Sequence, residues 1–217
     1  MSVDPGISFP DESREYRRER NRLLADPIEP DTRWFAALEA QIAEAGALVT
    51  QARARLIENL SAALADLPEA PFARPALAYL PGGPLTVDGL AEALADGRRR
   101  DRAAQRTLTG PHRDELSVTM AGKGQPAADC STGEQKAMLI AITLAHAGLL
   151  PDERPGLLLL DEVAAHLDPL RRGALFERLR HGGAQVWLTG TELPPFAGIE
   201  AEAAIWRVRD GGVERLN

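Results

Sequence analysis

The sequence predicts an α/β fold in which a parallel sheet with flanking helices follows a mostly helical arm. Two observations predict the sheet. Short, continuous apolar runs at 157–160 and 185–188 are typical of strands buried on both faces. A helical segment separates these runs, and alternating strands and helices form parallel sheets. The arm is predicted because helical periodicity dominates residues 11–106.

The arm follows a leader, residues 1–10, which we expect to be disordered. Residues 11–25 predict a short charged helix, broken by Pro27. Asp31 can cap a second helix of about 35 residues that ends before Pro68. Apolar residues recur along this helix at spacings of three and four and predict its packing core. They are Trp34, Leu38, Ile42, Ala45, Val49, Ala52, Leu56, Leu60 and Leu64.

The end of the arm contains a connector and a third helix. Residues 68–84 are rich in proline and glycine and form the connector, with a short strand at 76–80. Thr86 can cap the third helix, which extends to about Arg106. Gly97 is a weak point within it, because glycine disfavours helix interiors.

Residues 107–217 carry the predicted sheet. Their elements are a strand at 116–120, a helix at 131–150, a strand at 157–160, a helix at 169–180, a strand at 185–188 and a hairpin of 205–208 with 213–216. The helix at 131–150 is almost wholly apolar, which predicts that it is buried. Asp168 caps the next helix and Pro169 occupies its favoured first position.

Charge and composition exclude several classes of protein. A net charge of −7 argues against a protein that coats nucleic acid by bulk charge. The sequence has no apolar run of about 18 residues and no signal peptide, so we expect no membrane partner. The single cysteine, Cys130, fits a reducing cytoplasm.

Two clusters of arginine interrupt the acidic background. They form either two solvated helix faces with interleaved acids or surfaces that contact phosphate. In the second case, the later cluster binds DNA through Arg98, Arg99, Arg100 and Arg102. The earlier cluster consists of Arg14, Arg17, Arg18, Arg20 and Arg22.

Two acids, Asp161 and Glu162, follow directly after the leucine run at 157–160. The carboxyl ends of strands are where open α/β sheets bind ligands. In nucleotide hydrolases, an aspartate at this point holds Mg²⁺, and a neighbouring glutamate can polarise the attacking water. Asp161 is therefore the candidate metal ligand and Glu162 the candidate catalytic base.

The segment 130–136 opens the apolar helix. Ser131 followed three residues later by Glu134 predicts a capping box, which is a purely structural interpretation. The alternative is an anion site, because a helix N-terminus with a hydroxyl and a glycine exposes backbone N–H groups. Ser131, Gly133 and Gln135 are then candidate nucleotide ligands. The acid-tipped strand follows about 25 residues later, which is the motif order of an ABC-type ATPase.

Three further polar residues fit that order. Asp168, a helix cap, also occupies the position of the D-loop that ABC-type proteins use across their dimer interface. Thr189 and Thr191 follow the strand at 185–188, where ABC proteins carry a switch residue, usually histidine. The alternative for these threonines is a simple turn that ends the strand.

Four segments together resemble the RecF family of SMC/Rad50-like ABC ATPases, which act in DNA replication and repair. Gly110-Pro111-His112-Arg113-Asp114 is the most specific, because ABC proteins in general lack it. The others are the signature at 131–136, the segment 161–169 and the segment 185–192. Residues 20–24 also resemble the start of the family's helical arm, and the resemblance extends over 14–217.

The resemblance implies ATP-dependent dimerisation on DNA, at gaps or at junctions of single and double strands. The implied partners are RecO and RecR, and the implied process is RecA loading in recombinational repair. Asp161 is the implied Mg²⁺ ligand and Glu162 the base. Ser131 and Gly133 are implied to meet the γ-phosphate of the ATP bound by the other subunit, and Asp168 to act across the interface.

One departure from the family is large. RecF chains carry a Gly-x-x-x-x-Gly-Lys-[Ser/Thr] phosphate loop, and neither Lys123 nor Lys136 lies in such a sequence. We therefore expect a C-terminal part of RecF that needs a missing N-terminal segment and does not hydrolyse ATP alone. A partial sheet of this kind leaves apolar surface and a strand edge exposed.

Two other interpretations remain open. The chain could be half of another SMC-like head, although no long heptad repeat supports this. It could also be a non-catalytic module that binds DNA or protein. The pair Asp161 and Glu162 disfavours that alternative, because the end of a buried strand needs no two acids for structural reasons.

Overall fold

The computed structural model describes residues 9–28, 31–66, 71–149 and 156–217. They fall into two compact units. The first comprises Met1–Asn59 with Leu77–Val118, and the second comprises Leu60–Ala76 with Thr119–Asn217. The leader predicted at 1–10 lies outside the described residues, except that residues 9 and 10 already belong to a helix. The predicted arm boundary at 106/107 stays a prediction.

Four helices begin the chain. They are α1 (Phe9–Ala25), α2 (Thr32–Ala65), α3 (Val87–Asp96) and α4 (Arg98–Ala103). The predicted caps are confirmed, since Asp31 Oδ1 accepts from Arg33 N at 2.8 Å and Thr86 Oγ1 accepts from Gly89 N at 3.2 Å. The single third helix predicted to reach Arg106 is wrong. It breaks at Gly97, the predicted weak point, where α3 ends and α4 begins.

The core of the first unit lies between α2 and its neighbours. Ile42 and Ala43 pack with Leu90 and Leu94 of α3, as the periodicity of α2 predicts for Ile42. The predicted stripe is wrong at Trp34, Ala52 and Leu56, which are exposed, Trp34 by 51% and Leu56 by 40%. The buried face of α2 is rotated away from Trp34 because it also contains two polar residues, Glu39 and Thr50.

A buried ionic network accounts for that rotation. Arg20 of α1 is fully buried and donates from Nε to Glu39 Oε1 at 3.1 Å and from Nη1 to Asp101 Oδ2 at 2.7 Å. Its Nη2 donates to Leu94 O at 2.8 Å, and Nη1 also reaches Thr107 Oγ1. Arg20 therefore joins all four helices. It is neither a solvated charge nor a phosphate contact, and both predictions for the arginine cluster are wrong at this position.

Within the described ranges, seven strands form three small sheets. They are β1 (Pro75–Leu80), β2 (Glu115–Met120), β3 (Gln125–Pro126), β4 (Leu157–Leu160), β5 (Gln185–Leu188), β6 (Trp206–Arg209) and β7 (Gly212–Arg215). The strand orders are β1-β2-β3, β4-β5 and β6-β7. Two helices separate the later strands, α5 (Thr132–Gly148) and α6 (Pro169–His181). The predicted hairpin is confirmed by the antiparallel pairing of β6 with β7.

The pairing of β4 with β5 is parallel, as predicted, and runs in register from Leu157↔Gln185 to Leu160↔Leu188. The prediction that β4 is buried on both faces is wrong. Leu160 is 6% exposed, but Leu159 is 68% exposed. Leu157, which shares a face of β4 with Leu159, is also 58% exposed, so within the described part of the chain no layer covers this face of the two-stranded sheet. The exposed apolar surface expected of a partial sheet is present.

The apolar helix α5 is also exposed in part. Ala137, Met138 and Ala141 are buried, but Leu139 is largely exposed, so the prediction of a wholly buried helix is wrong. A helix shows an open face when its neighbours cover only one side of it. No helix among the described residues is long and apolar enough to cross a membrane.

Candidate functional site

The predicted acids lie at the carboxyl end of β4, beside the end of β5. Parallel pairing of Leu160 with Leu188 brings the next residues, Asp161 and Thr189, side by side. Thr189 N donates to Leu160 O at 3.1 Å, and the Thr189 hydroxyl donates to Asp161 Oδ1. The same hydroxyl oxygen accepts from Glu162 N at 3.1 Å. Thr189 therefore ties the candidate metal ligand to the candidate base.

Glu162 adopts an uncommon backbone conformation. Its φ is +53°, in the left-handed region that costs a non-glycine residue about 1–2 kcal/mol. The hydrogen bond from Glu162 N to Thr189 holds the backbone in this conformation. Strained residues of this kind concentrate at active sites and switch regions. The sequence gives no sign of this strain.

The start of α5 forms the predicted capping box. Ser131 N donates to Glu134 Oε2 at 2.9 Å, and Glu134 N donates back to Ser131 Oγ at 3.4 Å. Lys123 Nζ lies 2.5 Å from Glu134 Oε1. That contact, helped by the hydrogen bonds from Ser131, lowers the pKa of Glu134 to about 2. The carboxylate thus stays ionised and fixes the first turn of the helix.

The capping box leaves the N-terminus of α5 accessible. Ser131 is exposed, and a Cβ built on Gly133 would have a single neighbour, Arg171 Nη1 at 3.9 Å. Gln135 turns its amide inward instead, donating to Cys130 O at 3.0 Å. Both interpretations of this segment are therefore compatible, because the cap orders the backbone whose N–H groups would face an anion.

Asp168 caps α6, as predicted. Its Oδ1 accepts from Arg171 N at 2.9 Å, and its Oδ2 lies 3.5 Å from Arg171 Nε. Arg171 Nε also donates to Pro71 O at 3.0 Å. Since Arg171 Nη1 lies near Gly133, this arginine connects the N-terminal ends of α5 and α6. Sequence reasoning missed Arg171, because an arginine in the first turn of a helix carries no distinctive pattern.

Thr191 lies apart from the acids. It is exposed and lines a groove of about 990 Å³ beside β5. Within the described ranges, no hydrogen bond links it to Asp161 or Glu162. A Cβ at Gly190 would lie 2.6 Å from the Phe196 ring, so a larger residue there requires that ring to move. In the turn after β5, the Phe196 ring thus packs against Gly190, the residue that follows Thr189.

Sequence comparison finds proteins that are similar to this chain. No protein-family model matches the chain. The chain is 42% identical to the DNA replication and repair protein RecF of Mesorhizobium japonicum, over 98% of its own length and 59% of the relative's. It is 43% identical to the RecF of Caulobacter vibrioides, with 92% and 56% covered.

The chain is a homologue of RecF. It spans a little over half the length of the RecF proteins it matches. A solved structure of the recombination mediator protein RecF with ATP in the RecFOR pathway has a TM-score of 0.76 to this chain. The match covers 95% of this chain and 57% of that one at 21% identity, which shows a shared fold.

A magnesium ion, expected from the resemblance to RecF, fits the end of β4. No group of three or more His, Cys, Asp or Glu that could hold a metal occurs among the described residues. Mg²⁺ needs no such group, since it binds through one or two carboxylates together with water and substrate phosphates. Asp161 is exposed and supplies one such carboxylate, with Oδ1 oriented by Thr189.

The predicted DNA-binding arginines of this RecF homologue differ in availability. Arg98 holds Glu39 through two donors and lies 5.5 Å over the Phe35 ring. Arg100 donates to Thr109 Oγ1 at 2.9 Å, and Arg102 donates to Asp26 O at 2.7 Å. Arg99 is exposed and is the best placed of the four to contact a phosphate.

Proposed function

We propose that this chain carries one part of the ATP-hydrolysis and dimerisation site of a RecF-type DNA repair protein, within an ABC-type ATPase lobe. The observation that carries the proposal is the Thr189 bridge between Asp161 and Glu162. The hydroxyl fixes the Asp161 carboxylate and the Glu162 backbone N–H, and two adjacent acids at the end of a parallel strand have no evident structural need. Homology to RecF also supports the proposal that these residues belong to an ATP-hydrolysis site.

In this proposal each site residue has a distinct role. Mg²⁺, when bound at Asp161, would neutralise phosphate charge. Glu162 orients and deprotonates the attacking water, and its fixed backbone holds the carboxylate in position. Thr189 orients the Asp161 carboxylate and holds the backbone of Glu162, and Thr191 follows it in the proposed switch segment.

The start of α5 is proposed to bind the γ-phosphate of a nucleotide held by another subunit. Ser131 and Gly133 would present its backbone N–H groups, with Gln135 behind them. Asp168 acts at the same interface. Arg171 supports this role because it connects Asp168 with the neighbourhood of Gly133.

The phosphate loop would come from a separate segment. The chain spans 53–60% of its RecF relatives, and neither of its two lysines lies in a phosphate loop. We infer that the exposed leucines of β4 pack against that segment, since contiguous apolar patches mark interaction sites. ATP hydrolysis by the chain alone is therefore not expected.

The biological setting follows from the same inference. We propose that the assembled protein dimerises with ATP in the cytoplasm and binds DNA at gaps or junctions of single and double strands. There it would support RecA loading together with RecO and RecR. Arg98, Arg99, Arg100 and Arg102 are the proposed DNA contacts, with Arg99 the most available.

A complementation experiment tests this function. The chain is mixed with the portion of Caulobacter vibrioides RecF outside the match, and ATP hydrolysis is measured with and without DNA. We expect hydrolysis only in the mixture, with stimulation by DNA and loss of about 10²-fold or more in Glu162→Gln. Glu177→Gln, an exposed glutamate of α6, is the matched control.

Two results would contradict the proposal. One is a mixture that binds but never hydrolyses ATP, which would favour a non-catalytic module that binds DNA or protein. The other is activity that survives Glu162→Gln unchanged, which would remove this residue as the base. Co-elution of the two segments separates failed assembly from failed catalysis.

A further inference from the structure

Arg171, in the first turn of α6, is anchored through only one nitrogen of its guanidinium group. Its Nε donates to Pro71 O at 3.0 Å and lies 3.5 Å from Asp168 Oδ2. The side chain is 29% exposed, and Nη1 and Nη2 donate to no acceptor in the described part of the chain. A guanidinium group held in this way has a fixed orientation and keeps the donors of both terminal nitrogens for another acceptor.

One of these terminal nitrogens lies beside the first turn of α5. Arg171 Nη1 is 3.9 Å from the position that a Cβ on Gly133 would occupy, and no other described atom outside the turn lies within 4 Å of that position. A side chain at residue 133 would enter the space between the turn and the guanidinium group, whereas glycine leaves that space open. The donors of Arg171 therefore lie next to the first backbone N–H groups of α5.

Two carboxylates close to this turn already have partners in the protein. Glu134 contacts Lys123 Nζ at 2.5 Å through one oxygen, and its other oxygen accepts from Ser131 N and Oγ. Asp168 accepts from Arg171 N through Oδ1 and faces Arg171 Nε through Oδ2. Neither acid accepts a hydrogen bond from the terminal nitrogens of Arg171. These donors and the positive end of the α5 dipole can therefore attract a further anion.

The arrangement of these donors favours a phosphate group over a carboxylate. Nη1 and Nη2 form a planar fork that matches two oxygens of one anion. The N-terminus of a helix supplies backbone N–H groups that point at the same anion from another direction. A carboxylate has two oxygens, which the fork alone would occupy, whereas a terminal phosphate has a third oxygen for the helix.

We propose that Arg171 is a phosphate-binding residue that donates from Nη1 and Nη2 to the terminal phosphate of a nucleoside triphosphate. The first turn of α5 binds the same phosphate group. This inference rests on the function proposed above, in which Ser131 and Gly133 meet the γ-phosphate of a nucleotide held by another subunit. It adds a charged side chain to that contact. Arg171 is then required for ATP to bring two subunits together, but not for the binding of ADP.

Dimerisation of the complemented protein tests this role. The chain is combined with the portion of Caulobacter vibrioides RecF outside the match, and sedimentation velocity is measured with a slowly hydrolysed ATP analogue and with ADP. Arg171→Gln is expected to weaken dimerisation with the analogue about tenfold and to leave ADP binding unchanged. Arg171→Lys should restore only part of the loss, because an ammonium group keeps the charge but lacks the fork.

Arg172→Gln is the matched control. Arg172 is the next residue of α6, and its side chain forms no hydrogen bond or ion pair with any residue that the structure describes. A purely structural role of Arg171 would lower the thermal unfolding temperature of Arg171→Gln without a selective loss of the response to the ATP analogue. The inference is overturned if Arg171→Gln and Arg172→Gln dimerise equally with that analogue.

A second measurement on the whole chain separates this inference from the proposed function. The chain is titrated with inorganic tripolyphosphate, and the NMR signal of the Gly133 amide is followed. We expect the dissociation constant to rise about tenfold in Arg171→Gln and to stay unchanged in Arg172→Gln. Equal dissociation constants would overturn the inference even if the complemented protein hydrolyses ATP. Binding that depends on Arg171 in a protein that never hydrolyses ATP would instead support the phosphate contact and contradict the proposed function.

Discussion

The two units treat charge and apolar surface in opposite ways. In the first unit, Arg20 is fully buried and each of its three guanidinium nitrogens donates a hydrogen bond. In the second, Leu159 extends from β4 and is 68% exposed. Buried charge is tolerated only when it is paired, and exposed apolar surface is usually covered by a partner. The first unit therefore pairs its buried charge within itself. The second leaves apolar surface on β4 that we expect another segment to cover.

The largest effect is expected from breaking the ionic network. Arg20→Ala leaves Glu39 and Asp101 buried without their shared cation, so the free energy of unfolding should fall by about 3–5 kcal/mol. Arg22→Ala on the same helix is the control. Its side chain is 76% exposed and pairs only with Glu19, so we expect a change below about 0.5 kcal/mol.

Urea denaturation followed by a probe in the first unit measures both variants. Equal effects of Arg20→Ala and Arg22→Ala would mean that the network contributes nothing beyond ordinary surface charge. The claim that a paired buried charge stabilises the first unit would then be wrong.

The second prediction compares two neighbouring leucines of β4. Leu160→Ala should lower the free energy of unfolding by about 2–4 kcal/mol, because it opens a cavity in the core. Leu159→Ala should cost less than about 1 kcal/mol, since its side chain already contacts solvent. Thermal unfolding of both variants is the measurement, and a larger loss for Leu159→Ala would show that the exposed face is covered in solution.

The third prediction concerns backbone strain at the candidate site. Glu162→Gly should raise the free energy of unfolding by about 0.5–1 kcal/mol, because glycine accepts a positive φ. Asp210→Gly, in the turn between β6 and β7, has a φ of +49° and is the matched control. Both variants should gain stability, but Glu162→Gly alone should abolish hydrolysis in the complementation assay. A Glu162→Gly variant that loses stability would argue against strain there.

The smallest expected effect is the pH response of the α5 cap. The pKa of Glu134 lies at about 2 in the folded protein, below its ordinary value of 4.5. A lowered folded-state pKa means that the contribution of the cap is fully present above about pH 4.5 and is lost as pH falls towards 2. NMR titration of the Glu134 carboxyl measures this, and Lys123→Met should raise the pKa. A Glu134 pKa that ignores Lys123 would contradict the assigned cause.

Local signals in the sequence were sufficient for much of the fold. The caps at Asp31, Thr86 and Asp168 and the parallel pairing of β4 with β5 follow from rules that act over a few residues or between neighbouring strands. The position of Asp161 and Glu162 at the carboxyl end of β4 follows from the apolar run that precedes them.

Long-range polar contacts were not predictable in the same way. Arg20 and Asp101 are 81 positions apart and look like surface residues, because periodicity counts only apolar side chains. Apolar periodicity therefore predicts a stripe on α2 that includes Trp34 and leaves out the buried Glu39. The bridge through Thr189 and the link through Arg171 depend on tertiary geometry, and no spacing in the sequence indicates either one.

Hydrogen exchange on the chain, with and without the complementary portion of Caulobacter vibrioides RecF, tests the contrast between the units most directly. We predict that the amides of β4 and β5 exchange more slowly when that portion is added, while those around Arg20 in α1 and α2 stay unchanged. Leu159→Lys should prevent the slowing. The same protection of β4 with Leu159→Lys, or no protection at all, would contradict the claim that this sheet face binds the rest of the ATPase.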